Sequence, residues 1–350
     1  MKYDITSVDK NFLEGSVFEH EGLIWRSIHD APLEIRGLAV HKDETFCRLP
    51  LEVLPVCSEG VRGLSFHTAG GRVRFITNSK RLAVRAESRN SGSMTHMPVT
   101  GSAGADVYVN GVFKAIIRPA NDDGGWFEGM AVLDGRQNAI EINLPLYNGI
   151  KNLLIGTDED AEILPPRAYM HDVPVVYYGS SITQGGCASR PGNSYQGFIS
   201  RKLDSDHINL GFSGNAKGED DMARYIAGLN MSVFVYDYDH NAPNPEHLEK
   251  THERFFRIIR AAQPKLPVIM ISKPDIDKDL ATGARRREII RRTYENAVAD
   301  GDKYVRFIDG ETLFGIQERD GCTVDGSHPN DLGFYRMAEH IYPVIKEMLV

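Results

Sequence analysis

The sequence predicts a two-domain α/β protein, in which an all-β sandwich or jelly roll over residues 1–165 precedes a three-layer α/β/α domain over residues 166–350. Three observations support this organisation. Short strand-like segments fill the first half, strands alternate with helices in the second half, and Pro165 and Pro166 lie where the pattern changes. A chain of 350 residues is also longer than one hydrophobic core usually serves.

The first half shows the two-residue alternation of apolar and polar side chains that half-buried strands require. The clearest such segments are residues 73–75, 82–86 and 139–144. Asn110 and Gly111 lie between two apolar runs and favour a tight hairpin turn. Because glycine-bearing turns separate these short strands and long helical patterns are missing, a sandwich or jelly roll is expected.

The second half alternates short apolar runs with helical periodicity. Five runs are predicted to be strands: residues 174–178, 207–210, 232–236, 267–271 and 304–308. Helices are predicted over Pro245–Ala262, residues 283–299 and residues 330–348. The first of them aligns five residues on one face: Leu248, His252, Phe255, Ile259 and Ala262. Strands that alternate with helices indicate a parallel sheet covered on both faces, with its site beyond the carboxyl ends of the strands.

Composition excludes several classes of function. Hydrophobic residues are 41% and charged residues 25% of the chain, as in ordinary globular proteins, and the net charge of -8 argues against nucleic acid as a partner. The first residues lack a signal peptide's apolar run, and no segment is apolar enough to span a membrane. The four cysteines lack metal-ligand spacing, so we expect free thiols and a cytoplasmic location. The oligomeric state stays open, with a homo-oligomer as one possibility.

The parts of a hydrolytic triad occur at two distant places. Ser181 lies at the end of a buried apolar run, between Gly179 and Gly185, and Asp325 stands three residues before His328. A serine hydroxyl is a weak nucleophile until an imidazole accepts its proton, and the imidazole needs a partner that fixes its tautomer. Both requirements are present in the sequence.

Gly214 and Asn241 also follow predicted strands and could lie with Ser181 at one edge of the sheet, but these residues and the triad candidates each have a purely structural interpretation. Ser181 could cap the helix that follows, and Gly214 could be a turn glycine with positive φ. Asn241 could be a turn residue ahead of Ala242-Pro243, and His328 could cap the last helix. A coincidence of all these features, in this order and at predicted strand ends, favours the catalytic interpretation.

Four blocks of the second half, in this order, resemble the motifs of GDSL-type (SGNH) serine esterases. Residues 179–183 (Gly-Ser-Ser-Ile-Thr) resemble the nucleophile block, residues 209–216 the second block, Asp239–Asn241 the third, and residues 325–329 (Asp-Gly-Ser-His-Pro) the last. Residues 104–108 (Gly-Ala-Asp-Val-Tyr) are similar to the Gly-x-Asp-Leu-Tyr signature of a β domain that precedes one branch of this family.

This resemblance covers about residues 173–345 and implies specific roles. Ser181 would be the nucleophile, His328 the general base and acid, and Asp325 the partner of the imidazole. The backbone N–H groups of Ser181 and Gly214, with the side-chain amide of Asn241, would form the oxyanion hole. No cofactor and no metal are implied.

Two departures from the family pattern are visible. Ser180 replaces the usual aspartate beside the nucleophile, a position outside the triad. In the third block, Asp239 and Ala242 replace the usual flanking glycine and aspartate, which weakens the assignment of Asn241.

Candidate substrate-binding residues follow the nucleophile or come from the first half. Gln184, Arg190 and Tyr195 either line the substrate pocket or belong to a surface loop that leads into a helix. Trp126 could stack on a sugar above the pocket, although packing inside the β domain is the favoured alternative. Trp25 has the same two interpretations.

The resemblance implies a serine carboxylesterase for short acyl groups, acetyl in particular, and the β domain suggests a carbohydrate ester as substrate by analogy. Two alternatives remain. One is a carbohydrate-binding protein on a hydrolase scaffold that has lost catalysis. The other is a metal-dependent phosphoesterase that uses Asp237, Asp239 and His240, because carboxylates and an imidazole can bind a divalent ion.

Overall fold

A computed structural model describes residues 20–92, 94–119 and 124–349. The predicted lack of a signal peptide rests on residues that lie outside these ranges. Within the ranges, no helix has both the length and the apolar character needed to cross a membrane. All four cysteines are buried free thiols, as expected.

The described part of the first half consists of antiparallel sheets and two short α-helices. Its strands and helices are β1 Leu23–Ser27, β2 Glu34–Arg36, β3 Val40–Lys42, β4 Thr45–Cys47, α1 Glu59–Leu64, β5 Arg72–Thr77, β6 Arg81–Ser88, α2 Val99–Ser102, β7 Ala105–Val109, β8 Val112–Ile117, β9 Gly125–Val132, β10 Asn138–Asn143, β11 Ile150–Asp158 and β12 Ile163–Leu164. One large sheet has the order β1-β11-β6-β9 and a second has the order β12-β5-β10-β7-β8, with β2 also paired to β5; β3 and β4 form a separate two-stranded sheet. Alternate side chains from both sheets form a single apolar core, which is the sandwich that the alternation predicted.

The predicted hairpin joins β7 to β8. Asn110 and Gly111 form its turn with φ values of 50° and 79°. Two successive residues with positive φ are what a tight turn between twisted antiparallel strands requires, and Asn-Gly adopts them at low cost.

The second half consists of a parallel sheet with helices. Its elements are β13 His171–Gly179, α3 Ser181–Gln184, α4 Tyr195–Leu203, β14 Ser205–Gly211, α5 Asp220–Ala227, β15 Val233–Asp237, α6 Pro245–Ala262, β16 Val268–Ile271, α7 Leu280–Ala299, β17 Val305–Ile308 and α8 Asp331–Met348. The strand order is β14-β13-β15-β16-β17, all parallel. The strand that follows β13 in sequence, β14, lies on one side of it, and the later strands β15, β16 and β17 lie on the other. The crevice for a ligand is therefore expected beyond the carboxyl end of β13.

The helix α6 has the predicted bounds. Asn244 caps it by accepting a hydrogen bond from the N–H of His247 at 2.8 Å, and Pro245 occupies the first turn. Four of the five predicted facing residues are buried: Leu248, His252, Phe255 and Ile259. Ala262 is exposed, contrary to the prediction, because the helix ends at this residue.

The boundary between the two halves in sequence differs from the boundary in space. Antiparallel pairing gives way to parallel pairing between Leu164 and His171. Part of the first half nevertheless belongs to the core of the parallel sheet, where it shares one cluster of buried side chains with Val176 and Phe212. The buried side chains of that segment are Cys47, Leu49, Leu54, Cys57 and Val61. A cut at residue 165 would therefore divide one hydrophobic core.

Two buried arginines of the first half hold the edge strand β14. Arg48 donates hydrogen bonds from Nη1 to the carbonyl oxygens of Asn209 (3.0 Å) and Gly211 (2.6 Å). Arg72, which is 1% exposed, forms an ion pair with Asp206 and donates from Nη2 to the His207 carbonyl at 3.1 Å. These contacts fix the first half against the strand whose end carries the second motif block.

Loss of the Arg72 side chain is expected to destabilise the whole protein. Arg72→Met leaves the Asp206 carboxylate buried with Arg36 Nη1 at 3.2 Å as its remaining cationic partner. We expect the free energy of unfolding in urea to fall by about 3 kcal/mol, the lower end of the cost of breaking a buried pair.

The matched control is Arg136→Met, which breaks a surface pair with Asp134 and whose side chain is 84% exposed. That change is expected to cost less than about 1 kcal/mol. Equal losses for the two variants would contradict the structural importance of the Arg72 contact.

Candidate active site

The candidate nucleophile lies at the carboxyl end of the central strand β13. Gly179 ends this strand, and a side chain there would clash, since a Cβ atom would lie 2.2 Å from the carbonyl oxygen of Asp237. Ser180 caps the short helix α3 by accepting a hydrogen bond from the Ile182 N–H at 3.1 Å. Ser181 is the first residue of that helix, where backbone N–H groups lack partners within the helix.

The structure brings Ser181, His328 and Asp325 together. Ser181 Oγ lies 2.9 Å from His328 Nε2, although the two residues are 147 positions apart in sequence. His328 Nδ1 lies 2.8 Å from Asp325 Oδ2. Ser181 is 8% exposed, so its hydroxyl is largely shielded from water and yet faces an imidazole. This arrangement allows proton transfer from the hydroxyl to a correctly oriented imidazole.

The loop that carries Asp325 fixes its carboxylate. Asp325 Oδ1 accepts hydrogen bonds from the backbone N–H groups of Ser327 (2.9 Å) and His328 (2.8 Å). Burial alone would raise the pKa of Asp325, but these bonds and the His328 side chain outweigh it and lower the pKa to about 2. The stabilisation from these contacts is complete above about pH 4 and is lost as the pH falls toward 2.

Two of the three candidate oxyanion donors are bonded to each other. The Gly214 N–H donates to Asn241 Oδ1 at 3.1 Å, and Asn241 Nδ2 donates to the Phe212 carbonyl at 2.8 Å. The Gly214 N–H, a predicted oxyanion donor, therefore already has a protein partner in this conformation. An amide nitrogen carries two hydrogens, so Asn241 keeps a second N–H.

Two models of known protein families match the two halves of the chain. Residues 172–346 match the model of the GDSL-like lipase/acylhydrolase family, which is half of the chain. The chain belongs to this family. Residues 23–163 match a second model, the N-terminal GxDLY domain of SGNH-hydrolase-type esterases. The protein is thus an ester hydrolase of the GDSL type with the N-terminal domain that the 104–108 motif predicted. None of the curated proteins matches the chain.

Solved structures support the same assignment. A GDSL-like lipase from Bacteroides ovatus is 28% identical, with a TM-score of 0.84 over 93% of this chain and 98% of that chain. The salicylyl-acyltransferase SsfX3 of a tetracycline biosynthetic pathway is 22% identical, with a TM-score of 0.79 over 94% of this chain and 98% of that one. A family two carbohydrate esterase from Cellvibrio japonicus is 13% identical, with a TM-score of 0.62 over 93% and 98%. The last two likenesses show the fold.

Two of the predicted substrate contacts of this esterase are buried structural residues. Gln184 is 0% exposed, and it donates to the Leu146 carbonyl and accepts from the Ser213 N–H at 3.0 Å. Tyr195 is also 0% exposed, and its hydroxyl donates to Asp237 Oδ2 at 3.2 Å. The prediction that these side chains contact substrate is wrong, because protein groups already surround them.

Gln184 instead connects the two halves of the esterase. Its Nε2 lies 3.0 Å from Nδ1 of His67, which comes from the first half, while its Oε1 holds the loop before Gly214 through Ser213. The pKa of His67 is lowered to about 4, mainly by burial and in addition by the charges of Arg48 and another arginine. The imidazole is therefore neutral. Sequence reasoning missed His67, because nothing in its local sequence signals this distant partner.

Arg190 binds the GxDLY motif. Its Nη1 donates to the Tyr108 hydroxyl at 2.6 Å, and its guanidinium lies 3.9 Å from the centre of the Phe113 ring. Asp106, the buried aspartate of the motif, accepts from the Gly192 N–H at 2.8 Å. The motif therefore anchors the loop after the nucleophile to the first domain. The Arg190 side chain is 22% exposed, and its contact with substrate stays a prediction.

Trp126 lies on β9 at the edge of its sheet and is 47% exposed. Packing in the β core, the favoured interpretation from sequence, is therefore wrong. The contact that the structure gives it is with the Arg85 guanidinium, 5.1 Å from the ring centre. Its part in sugar binding stays a prediction.

The alternative metal site does not assemble. Asp237 Oδ2 accepts from Thr183 Oγ1 at 3.1 Å and from Tyr195, and burial raises the pKa of Asp237 to about 7. Asp239 accepts from Arg286 Nη1 and from a backbone N–H. His240 pairs with Asp275 at 2.8 Å. Among the described residues, the ligand atoms of these three side chains do not form a group within 4.8 Å of one another, as a shared ion would require.

Proposed function

We propose that this esterase hydrolyses short-chain acyl esters, acetyl esters in particular, of a carbohydrate, through an acyl-Ser181 intermediate. The observation that carries the proposal is the 2.9 Å contact between Ser181 Oγ and His328 Nε2, with Asp325 on the other imidazole nitrogen. A catalytically lapsed binding protein has no need to maintain both contacts in this alignment.

The chemistry follows from these contacts. Ser181 Oγ attacks the ester carbonyl carbon while His328 Nε2 takes the hydroxyl proton. The imidazolium, stabilised by the Asp325 carboxylate, then gives that proton to the leaving alcohol oxygen, and an acyl-serine remains. Water that loses a proton to His328 Nε2 attacks the acyl carbon, which releases the carboxylic acid and restores Ser181.

Negative charge on the carbonyl oxygen needs donors in both steps. The Ser181 N–H and the second N–H of Asn241 are the proposed donors, and each such donor is typically worth about 3 kcal/mol of barrier. The Gly214 N–H can join them when Asn241 Oδ1 releases it, since the two groups are bonded to each other without substrate.

The similar structures support the substrate class. They include the family two carbohydrate esterase from Cellvibrio japonicus and an acetyl xylan esterase from Butyrivibrio proteoclasticus, the latter 14% identical with a TM-score of 0.58. The N-terminal β domain is the part of the chain where part of a bound sugar is proposed to lie, with the exposed Trp126 as the candidate stacking surface.

A substrate panel tests this proposal. Nitrophenyl acetate, butyrate and octanoate are compared with acetylated xylo-oligosaccharides and nitrophenyl phosphate, with and without EDTA. We expect kcat/KM to fall about tenfold or more from acetyl to octanoyl, acetate release from the oligosaccharides, no phosphatase activity and no effect of EDTA. A preference for long chains would contradict the acyl assignment. Binding of oligosaccharide without turnover of any ester would favour the lapsed protein.

A further inference from the structure

Three potential metal-binding side chains converge beside the candidate nucleophile. One ring nitrogen of His96, one of His328 and the thiol of Cys187 lie within 4.8 Å of one another. The rings of His96 and His328 are 5.5 Å apart between centres. The three residues come from separate segments: the first domain just before α2, the loop after α3, and the loop before α8. Nothing in the proposed hydrolysis uses His96 or Cys187.

The chemical nature of this group suits a borderline divalent cation. Imidazole nitrogen and thiolate sulfur are the usual zinc ligands, at about 2.0–2.1 Å and 2.3 Å. A tetrahedral ion then requires its ligand atoms to be about 3.3–3.8 Å apart. The three ligand atoms lie within 4.8 Å of one another, so side-chain shifts on the order of 1 Å would bring them to this spacing, and the His96 side chain is exposed. Three protein ligands leave a fourth position for water.

The existing partner of His328 also favours metal binding. Its Nδ1 is bonded to Asp325 Oδ2 at 2.8 Å, so Nε2 is the nitrogen left for an ion. A carboxylate behind a histidine is the arrangement that orients zinc-bound imidazoles and increases their basicity. The same Nε2 lies 2.9 Å from Ser181 Oγ, so an ion on this atom would displace the contact on which proton transfer depends.

We propose that Zn²⁺, or a divalent cation of similar ligand preference, binds His96, Cys187 Sγ and His328 Nε2 and reversibly inhibits the esterase. On binding, the Cys187 thiol releases its proton to solvent and becomes a thiolate ligand. The imidazole of His328 can no longer accept the Ser181 proton. The inhibition rests on the proposed function, whereas the binding does not.

Cobalt binding tests the site without any measurement of activity. Tag-free protein is titrated with Co²⁺ as a spectroscopic substitute for Zn²⁺. We expect a thiolate-to-cobalt charge-transfer band and the visible bands of a tetrahedral ion, both removed by excess Zn²⁺. Cys187→Ser should lose the charge-transfer band, whereas Cys57→Ser, which alters another buried free cysteine, should keep it. No band in the wild-type protein, or an unchanged band in Cys187→Ser, would overturn the proposal.

Zinc inhibition tests the consequence. Rates with and without Zn²⁺ are compared within each protein, so that any effect of a substitution on the basal rate cancels. His96→Ala should raise the zinc concentration for half inhibition by about tenfold or more, and EDTA should restore the wild-type rate. Equal sensitivity of wild type and His96→Ala would overturn the proposed site. If the wild type hydrolysed no ester, the proposed function would fail, while the cobalt titration would still decide on the site.

Discussion

Replacing Ser181 by alanine is expected to lower kcat for nitrophenyl acetate by about 10⁴-fold or more. The variant lacks the oxygen that attacks the carbonyl, and His328 Nε2 loses the partner 2.9 Å away whose proton it accepts. Stability should change little, because removal of one small hydroxyl leaves the strand and the helix that position residue 181 intact. Steady-state kinetics and thermal unfolding of the same preparation measure both effects.

The neighbouring serine is the matched control. Ser180 Oγ caps α3 by accepting from the Ile182 N–H, so Ser180→Ala should cost about 1 kcal/mol of stability. The kcat of Ser180→Ala should nevertheless remain within about tenfold of the wild-type value, because loss of this one hydrogen bond beside the site has a smaller effect than loss of the nucleophile. Similar rate losses in the two variants would show that the chemistry does not depend on Ser181 itself.

The second large effect is expected for Asp325→Asn, which should lower kcat by about 10²- to 10⁴-fold. An amide can face His328 Nδ1 without fixing the tautomer in which Nε2 accepts the serine proton, and it does not stabilise the imidazolium. The loss should be smaller than for Ser181→Ala, because the Asp325 side chain is 38% exposed and water can partly replace the carboxylate.

Asp320→Asn is the control for this change. Asp320 is an exposed aspartate in the same connection between β17 and α8, so the substitution makes the same chemical change without touching His328. It should leave kcat within a factor of about two, as is usual for surface substitutions. If Asp325→Asn behaved like this control, His328 would have to be oriented by other groups.

The convergence of the site could be predicted from sequence because it follows from topology. Ser181, Gly214 and Asn241 each come after a predicted strand, and the carboxyl ends of parallel strands meet at one edge of the sheet. Asp325 and His328 are three residues apart, so one loop brings carboxylate and imidazole within 2.8 Å. Local patterns sufficed for these residues.

Other residues could not be assigned because their partners are remote in sequence. Gln184 and Tyr195 are polar and close to the nucleophile in sequence, as a substrate-binding residue would be, but they are buried against His67 and Asp237. A polar side chain satisfied by another part of the chain has no local signature. His96 is a case of the same kind, since only the folded chain places it beside His328.

The division into domains shows the limit of periodicity. Antiparallel strands precede residues 165 and 166 and parallel strands follow them, and this change is visible in the sequence because strand patterning is local. The segment that includes Cys47 and Val61 has short apolar runs that fit either core, and it packs under the parallel sheet. The alternation of apolar and polar residues predicts that one face of a segment is buried, but it does not predict which of the two cores that face joins.

Covalent labelling tests most directly whether Ser181 is a nucleophile activated by His328. The wild-type protein and Ser181→Ala are treated with a fluorophosphonate, digested, and mapped by mass spectrometry. We predict one phosphonyl group per wild-type chain, located on Ser181, with no labelling of the variant and slow labelling of His328→Ala. A label on another residue, or equal labelling of wild type and Ser181→Ala, would contradict the account.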